Sequence, residues 1–310
     1  MSPEPVDGLL VVDKPAGCTS HDVVARCRRI FGQRKVGHAG TLDPDATGVL
    51  LVGLGQVTRL LRFLSGLAKR YSGEVVLGVA TSTLDAGGEV TGMWDMSTVT
   101  LEAARSAAAK LTGEIMQVPP MVSALKVDGR RLHQLARAGI EVERAARPVT
   151  VWRFDVEPAG TTGSGPVFAI DVECSSGTYV RSLAADLGAL LGGGAHLRRL
   201  RREAVGEFSV AQAVRLEELE GAVLEGAGSK PDTVLTPAQA VQGLPQVTVG
   251  KELAVAVGYG RVIGLDELGE AGAAGPGPWA LVDDGGRLLA VYEPHGPYRA
   301  KPAVVLPGPR

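Results

Sequence analysis

The sequence has few cysteines and no long hydrophobic run. Its 310 residues include three cysteines, Cys18, Cys27 and Cys174, an odd number without the close spacing of a zinc-binding pair. Such sparing use is typical of proteins from a reducing compartment. No apolar run approaches the roughly 18 residues that a membrane-spanning helix needs, and residues 1–7 lack the features of a signal peptide. We therefore expect a cytoplasmic protein without a membrane segment or structural zinc.

The composition is that of a soluble globular chain, with 45% hydrophobic and 21% charged residues. This length accommodates one large or two moderate domains. The net charge of −2 divides unevenly, since residues 1–215 carry +3 and residues 216–310 carry −5. Arginine supplies 24 of the 32 basic residues, four of them in the run 198–202. Because arginine suits bidentate phosphate contacts, a phosphate-rich partner is compatible with this pattern.

The loop 37–48 concentrates glycines, a histidine and two carboxylates. Asp43 directly precedes Pro44, which disfavours helical backbone and makes the loop present the carboxylate. Three interpretations are open: a turn whose acids face water, a phosphotransferase D-x-D-x-T motif with Mg²⁺, or a single aspartate that acts on a glycosidic bond.

The phosphotransferase interpretation is the weakest of the three. Its nucleophile must follow a continuous apolar strand, and residues 37–42 cannot form that strand because they are Gly-His-Ala-Gly-Thr-Leu. Its later acidic motif would have to be Asp283 and Asp284, which lie in a hairpin signal of another region. The sequence contains no G-x-S-x-G motif and no glycine-rich phosphate loop. We expect neither a metal nor any other cofactor.

Strand patterns outnumber helix patterns and often follow one another directly. This favours an α+β fold with a mostly antiparallel mixed sheet and flanking helices. The predicted strands are 8–12, 69–79, 149–156 and 167–174, and the predicted helices are one capped by Ser20, 56–64, 101–111 and one that starts near 181. We expect a catalytic domain over 1–215 with a basic mobile insertion at 117–148, a connector at 216–244, and a small β-rich domain over 245–310. Its short apolar runs include 254–257, 279–282, 288–292 and 303–306.

Five motifs stand out in order along the chain: Gly37–Gly48, Lys69–Tyr71, Pro120–Lys126, Ser176–Arg181 and Gly194–Arg202. Together with the segment Arg147–Val151, they resemble the motifs of the TruB family of bacterial tRNA pseudouridine synthases. The similarity extends from about residue 8 to residue 210, while the C-terminal part resembles the small PUA-like domain of that family only loosely. The resemblance implies isomerisation of uridine to pseudouridine at position 55, in the T-loop of tRNA.

The resemblance also assigns roles to individual residues. It implies that Asp43 acts at the ribose C1′ and that Arg181 pairs with Asp43, which would keep the carboxylate ionised. Tyr71 corresponds to the tyrosine that stacks on the flipped uracil and is a candidate for the C5 proton transfer. Tyr179 and Leu200 correspond to further pocket residues. Because the strand requirement argues against the metal-dependent pair of acids, Asp45 is left as a structural or N-cap-like acid of the loop.

Other matched residues would handle the RNA. His38 corresponds to the histidine that holds the flipped conformation of the T-loop, and His21 stands where several relatives have asparagine. The 117–148 insertion resembles a mobile thumb whose Lys126, Arg130 and Arg131 would clamp the RNA backbone. We expect a monomer that binds the T-stem-loop without guide RNA, protein partner or membrane. Two other classes stay open: an RNA-guided subunit of a larger complex, and a module that only binds or folds RNA.

Overall fold

The computed structural model describes residues 5–123, 125–127, 130–132, 135, 140, 142–225 and 231–308. Its largest element is a nine-stranded sheet, accompanied by a five-stranded sheet and two small hairpins. The strands up to residue 131 are β1 (Gly8–Lys14), β2 (Val36–Ala39), β3 (Thr47–Leu54), β4 (Lys69–Leu77), β5 (Val79–Thr81), β6 (Val90–Met93), β7 (Gly113–Gln117), β8 (Lys126–Val127) and β9 (Arg130–Arg131). Four later strands also belong to the large sheet: β10 (Arg147–Thr162), β11 (Gly165–Cys174), β12 (Ala195–Val205) and β13 (Phe208–Ser209).

The large sheet has the strand order β1-β3-β12-β4-β11-β10-β7, with β2 added at β3 and β13 at β12. Its pairings are antiparallel except for β3 against β12. The predicted strands 8–12, 149–156 and 167–174 are present. The run predicted over 69–79 is divided at Gly78 into β4, which is central in the large sheet as predicted, and β5, which belongs to a separate hairpin. The α+β class with a mostly antiparallel mixed sheet is therefore confirmed.

Eight α-helices are present in the described part of the chain. They are α1 (Ser20–Ile30), α2 (Leu61–Ser65), α3 (Leu101–Lys110), α4 (Val180–Leu190), α5 (Leu216–Glu225), α6 (Pro237–Ala240), α7 (Lys251–Gly258) and α8 (Glu270–Ala274). None of the helices described is long and apolar enough to span a membrane. The helix expected over 56–64 is split, because a 3₁₀ turn occupies Gly55–Arg59 before α2 begins.

The start of α1 differs from the prediction. Thr19, not Ser20, is the N-cap: its hydroxyl accepts a hydrogen bond from the Asp22 backbone N–H, and the Asp22 carboxylate accepts one from the Thr19 N–H. This reciprocal capping box requires an acid three residues after the cap, and Asp22 stands at that distance only from Thr19. Ser20 is instead buried, where its hydroxyl bonds the backbone of Leu42. Leu42 lies in the loop 40–46, which is shorter than the predicted loop 37–48 because 37–39 and 47–48 belong to β2 and β3.

Helices α3 and α4 cover one face of the large sheet. The core between them includes Val75, Phe168, Val172 and Leu183. A separate core packs α1 and α5 against β1 and β3. The two helices thus fix the middle strands of the large sheet from one side, and the loops at the ends of these strands start from a rigid base.

The second sheet lies in the C-terminal part of the chain. It contains β14 (Gln246–Thr248), β15 (Ile263–Gly264), β16 (Trp279–Val282), β17 (Leu288–Pro294) and β18 (Arg299–Val305), in the order β14-β16-β17-β18-β15. The predicted hairpin at 282–287 joins β16 to β17. The apolar run 254–257, in the region predicted to be β-rich, is part of α7. Its sequence did not show this, because a run of four apolar residues fits a strand or a helix equally well.

An apolar interface joins the two sheets. Leu9, Val57 and Leu60 belong to the same buried cluster as Val291 and Val304. Around this cluster, the Arg59 guanidinium donates to the Val305 carbonyl, and Arg62 pairs with Glu293. The C-terminal sheet is therefore packed onto the N-terminal part of the chain.

Candidate active site

The segment 40–46 connects β2 to β3 and carries Asp43. Arg202, on β12, lies beneath it with 1% of its surface exposed. Its guanidinium donates to the carbonyls of Val49 (2.7 Å), Gly40 (3.0 Å) and Thr41 (3.5 Å). Gly40 has φ +79°, which favours glycine over residues with a side chain. A buried cation therefore fixes both ends of the loop that presents Asp43.

A second buried cation holds the middle of the same loop. The Lys14 ammonium group is fully buried and donates to the carbonyls of Pro15 (2.8 Å), Cys18 (2.7 Å) and Pro44 (2.9 Å). Burial lowers the pKa of Lys14, while the nearby Cys18, Asp45 and Asp43 oppose this change. Three carbonyl acceptors compensate for the loss of water around the ammonium group.

Asp43 and Arg181 form an ion pair. The Arg181 Nε lies 2.9 Å from Oδ2 of Asp43, and its Nη1 lies 3.3 Å from Oδ2 of Asp85. The remaining guanidinium contacts are to the carbonyls of Thr83 (2.9 Å) and Val122 (2.8 Å). The Arg181 side chain is 4% exposed, whereas that of Asp43 is 43% exposed. Arg181 is thus immobilised on all sides, and Asp43 keeps one open face.

The pKa of Asp43 is raised above its ordinary value. Loss of hydration is the main cause, and the charge of Asp85 adds to it. The Arg181 guanidinium lowers this pKa but does not outweigh the two opposing effects. Arg181 therefore offsets only part of the cost of ionising Asp43.

The open face of Asp43 borders two adjoining cavities. The larger, about 220 Å³, is lined by Val122, Arg181 and residues of three segments, 43–46, 83–87 and 197–200, which include Asp43, Asp85 and Leu200. The smaller is lined by Asp43, Tyr71, Tyr179, Arg181 and Leu200. The structure thus brings together the five residues that the sequence assigned to the catalytic pocket.

Both tyrosines are neutral phenols in these surroundings. Tyr71 is 8% exposed and lies on β4, and the positive charge of Arg202 acts to lower its pKa. Burial raises the pKa of Tyr71 despite this cation. Burial also raises the pKa of Tyr179, the N-cap residue of α4. Tyr71 therefore offers an aromatic surface and a protonated hydroxyl next to Asp43.

His38 lies on β2, outside the residues that line the two cavities. Its ring meets that of His21 edge-on, with 5.3 Å between ring centroids. Burial, His21 and Arg202 lower the pKa of His38 to about 4. Within the described residues, its buried Nδ1 has no hydrogen-bond partner. The imidazole is therefore neutral near pH 7.

The thumb residues are placed only in part. Arg130 is exposed on β9, which pairs with β8. The side chains of Lys126 and Arg131 lie outside the described residues. Asp45 is exposed and lines the larger cavity two residues beyond Asp43. No group of three or more His, Cys, Asp or Glu residues suited to a metal ion occurs in the described ranges.

Three residues of the site were not predicted from the sequence: Lys14, Asp85 and Arg202. Asp85 falls in a polar loop, where no periodic pattern distinguishes one acid from another. Lys14 has the sequence context of a surface turn, and lysine is rarely buried. Arg202 did carry a signal, since it lies two residues after Leu200 on a strand and so shares its face.

The comparison with known proteins agrees with this geometry. The sequence model of the TruB family pseudouridylate synthase N-terminal domain matches residues 28–180, and that of the tRNA pseudouridylate synthase B C-terminal domain matches residues 181–241. The five-stranded sheet, which begins at Gln246, lies beyond both matches.

Curated relatives are similar over nearly the whole chain. The tRNA pseudouridine synthase B of Arthrobacter sp. (strain FB24) is 46% identical, over 97% of this chain and 96% of the relative. The protein of the same name from Rhodococcus jostii (strain RHA1) is 47% identical, over 97% of this chain and 94% of the relative.

Solved structures share the fold. A chain from the crystal structure of a Cbf5-Nop10-Gar1 complex superposes with a TM-score of 0.69 at 27% identity, over 92% of this chain and 78% of that one. A chain from an H/ACA RNP bound to a substrate RNA containing 2′-deoxyuridine gives 0.65 at 25% identity, over 92% and 77%. The family matches and the identities of 46–47% over almost full length show that this chain belongs to the TruB family of pseudouridylate synthases.

Proposed function

We propose that this chain isomerises uridine 55 of the tRNA T-loop to pseudouridine, with Asp43 as the group that acts at the ribose C1′. The observation that carries the proposal is the arrangement of the Asp43 carboxylate. Its Oδ2 lies 2.9 Å from the Arg181 Nε, and its open face borders a cavity. A carboxylate beside the C1′ carbon can act as a nucleophile there as a glycosidic bond breaks. The curated relatives are named for the same reaction on tRNA.

The reaction breaks the N1–C1′ bond and forms a C5–C1′ bond. The proton on C5 leaves and N1 gains one, so the reaction consumes no water and transfers no electrons to a cofactor. Asp43 serves either as the nucleophile at C1′ or as the base that gives a glycal intermediate. In both routes Arg181 fixes the direction of the carboxylate and balances its charge. Because Asp43 must be ionised, its raised pKa sets the acidic limit of activity.

The target base has to leave the T-loop stack to reach this cavity, at a cost of a few kcal/mol. Stacking on an aromatic side chain returns about 1–3 kcal/mol per base. Tyr71 is the residue we assign to this stacking, since it lines the smaller cavity beside Asp43 and Leu200. Tyr71 is also our candidate for the C5 proton transfer, in which its phenol must give up its own proton before it takes the one from C5, since it is neutral in the folded chain. His38, on the β2 strand that leads into the catalytic loop, is assigned to holding the opened T-loop.

Replacement of Asp43 tests the assignment directly. The variant Asp43→Asn should abolish tritium release from tRNA labelled at uracil C5 while the tRNA still binds. Asp45→Asn is the matched control, since Asp45 is an exposed acid of the same loop, and this variant should stay active. Undiminished release by Asp43→Asn would sink the mechanism.

We also assign regions to the parts of the substrate. Residues 1–215 form the catalytic domain, 216–244 a connector, and 245–310 a PUA-like RNA-binding domain around the C-terminal sheet. In the 117–148 thumb, Lys126, Arg130 and Arg131 contact phosphates. Neutralising these three residues should weaken tRNA binding. The slope of log K against log salt concentration should also become shallower, by roughly 0.9 for each phosphate that the thumb no longer binds. An unchanged salt slope would remove the thumb from the RNA interface.

The chain acts alone in this proposal, as a cytoplasmic monomer on the free T-stem-loop. The competing function is that of an RNA-guided subunit, which the likeness to a chain from an H/ACA RNP favours. Multiple turnover by the purified chain on an unmodified tRNA transcript, without other RNA or protein, decides between them. Light scattering of the same sample measures its mass and so tests whether the chain is a monomer.

A further inference from the structure

The larger cavity combines acidic groups with arginines that are already engaged. Its lining includes the acids Asp43, Asp45 and Asp85 and the cations Arg181, Arg198 and Arg199. Arg181 is committed to Asp43 and Asp85. A nucleotide that enters the cavity carries a phosphodiester, which these acids repel unless a further cation meets it. The charge balance of the cavity therefore depends on the two arginines of β12.

A β-bulge turns these arginines toward the cavity. The register between β12 and β4 shifts between Leu197 and Arg199, so that Arg198 is the extra residue. The next strand is close enough that a Cβ at Gly73 would lie 2.6 Å from the Arg199 carbonyl oxygen. The side chain of Leu200, directly opposite Gly73, reaches both cavities. The bulge thus places two consecutive exposed arginines at the cavity rim.

Glu74 pairs with both arginines, but more closely with Arg198 than with Arg199. Arg198 binds its Oε2 through both Nε and Nη2, each at 2.7 Å. Arg199 lies 3.8 Å from Oε1 and keeps 76% of its side chain exposed. Glu74 therefore neutralises and fixes Arg198, while Arg199 retains free donors. Among the cavity-lining cations that the structure describes, Arg199 has the weakest ion pair.

We propose that Arg199 binds the phosphodiester adjoining the flipped uridine and so holds the tRNA in the cavity. This proposal rests on the proposed function, because it needs a nucleotide in the cavity. Arginine suits the role, since its planar donors match phosphate oxygens in pairs. The Arg198–Glu74 pair supports the bulge from which Arg199 projects. Arg199 is a substrate-binding residue, separate from the groups that react.

The first experiment measures tRNA turnover by Arg199→Gln. KM should rise about five- to tenfold, kcat should stay within about twofold, and the salt slope of binding should fall by about one. Arg199→Lys keeps the charge and should recover most of the salt slope but less of the KM. Arg105→Gln is the matched control, because Arg105 is a half-exposed arginine of α3 that pairs with Glu157. This control should leave both KM and the salt slope unchanged.

The second experiment removes the phosphate charge instead of the arginine. A T-arm hairpin with a neutral methylphosphonate beside the target uridine should bind the parent protein about five- to tenfold more weakly, with little further loss in Arg199→Gln. Equal losses in both proteins would overturn the proposal, because the two changes would then be independent. Parent protein that binds but does not convert the unmodified tRNA would sink the proposed function. If the methylphosphonate weakens binding of Arg199→Gln as much as binding of the parent, only the role of Arg199 is contradicted, and the proposed function stands.

Discussion

The ammonium group of Lys14 lies 2.9 Å from the carbonyl oxygen of Pro44, the residue directly after Asp43. Lys14 is at the end of β1, and Pro44 is in the loop that leads into β3, the neighbour of β1 in the sheet. The buried charge therefore ties the backbone of the catalytic loop to the first strand. This contact therefore helps to fix the backbone next to Asp43.

Replacing Lys14 by Met should therefore affect both stability and catalysis. The variant leaves the carbonyls of Pro15, Cys18 and Pro44 without their donor, so the free energy of unfolding should fall by about 2–4 kcal/mol. The catalytic loop loses its anchor, so kcat should fall more than KM rises. Urea unfolding and initial rates measure the two effects. Lys35→Met is the control, since Lys35 is exposed and bonds only a glutamine side chain in the described structure.

The variant Asp85→Asn tests how the acids share Arg181. Removing the charge of Asp85 removes one of the causes that raise the pKa of Asp43. The acidic limb of the kcat/KM profile, which reports ionisation of Asp43 in the free enzyme, should therefore move to lower pH. The maximal rate should still fall, by about tenfold or more, since Arg181 loses an ion partner at 3.3 Å that helps to orient it. An acidic limb that moves to higher pH would contradict this account of the pKa.

Much of the fold was predictable because alternation and apolar runs encode buried strand faces. Val75 and Val172, for example, are buried on strands that these patterns predicted. The errors have local causes. The capping residue was placed one position late because two hydroxyl residues are adjacent, and only the acid at 22 distinguishes them. The run 254–257 was assigned to a β-rich region because four apolar residues carry no period.

The site was predictable only where a motif carried it. Asp43 and Arg181 are 138 positions apart in the sequence, and their pairing at 2.9 Å followed from the family resemblance, not from any local pattern. Asp85 and Lys14 escaped because their functions arise from tertiary contacts alone. A buried lysine that serves three carbonyls has the same sequence signature as a lysine in a surface turn. Such residues are visible only once the chain is folded.

His38 should make stability depend on pH in a defined window. Its pKa in the folded chain is about 4, below the ordinary value of 6.5, so the unfolded chain binds the proton more readily. The stabilisation is present above about pH 6.5 and is lost as the pH falls toward 4. Urea unfolding at several pH values should show a smaller loss across this window in His38→Gln than in the parent. His295→Gln, at an exposed position, is the control and should keep the parent slope.

Gly48 should resist substitution because of its approach to Arg202. Its φ is +101°, and a Cβ there would lie 2.2 Å from the Arg202 carbonyl oxygen, in the parallel pairing of β3 and β12. Gly48→Ala should therefore cost about 4 kcal/mol or more in unfolding free energy, and kcat should fall because Arg202 holds the catalytic loop. Gly192→Ala separates strain from crowding, since Gly192 has φ +85° and a Cβ there would meet no described atom within 4 Å. That control should cost only about 1–2 kcal/mol and leave kcat unchanged, whereas equal costs would show that backbone angle alone constrains Gly48.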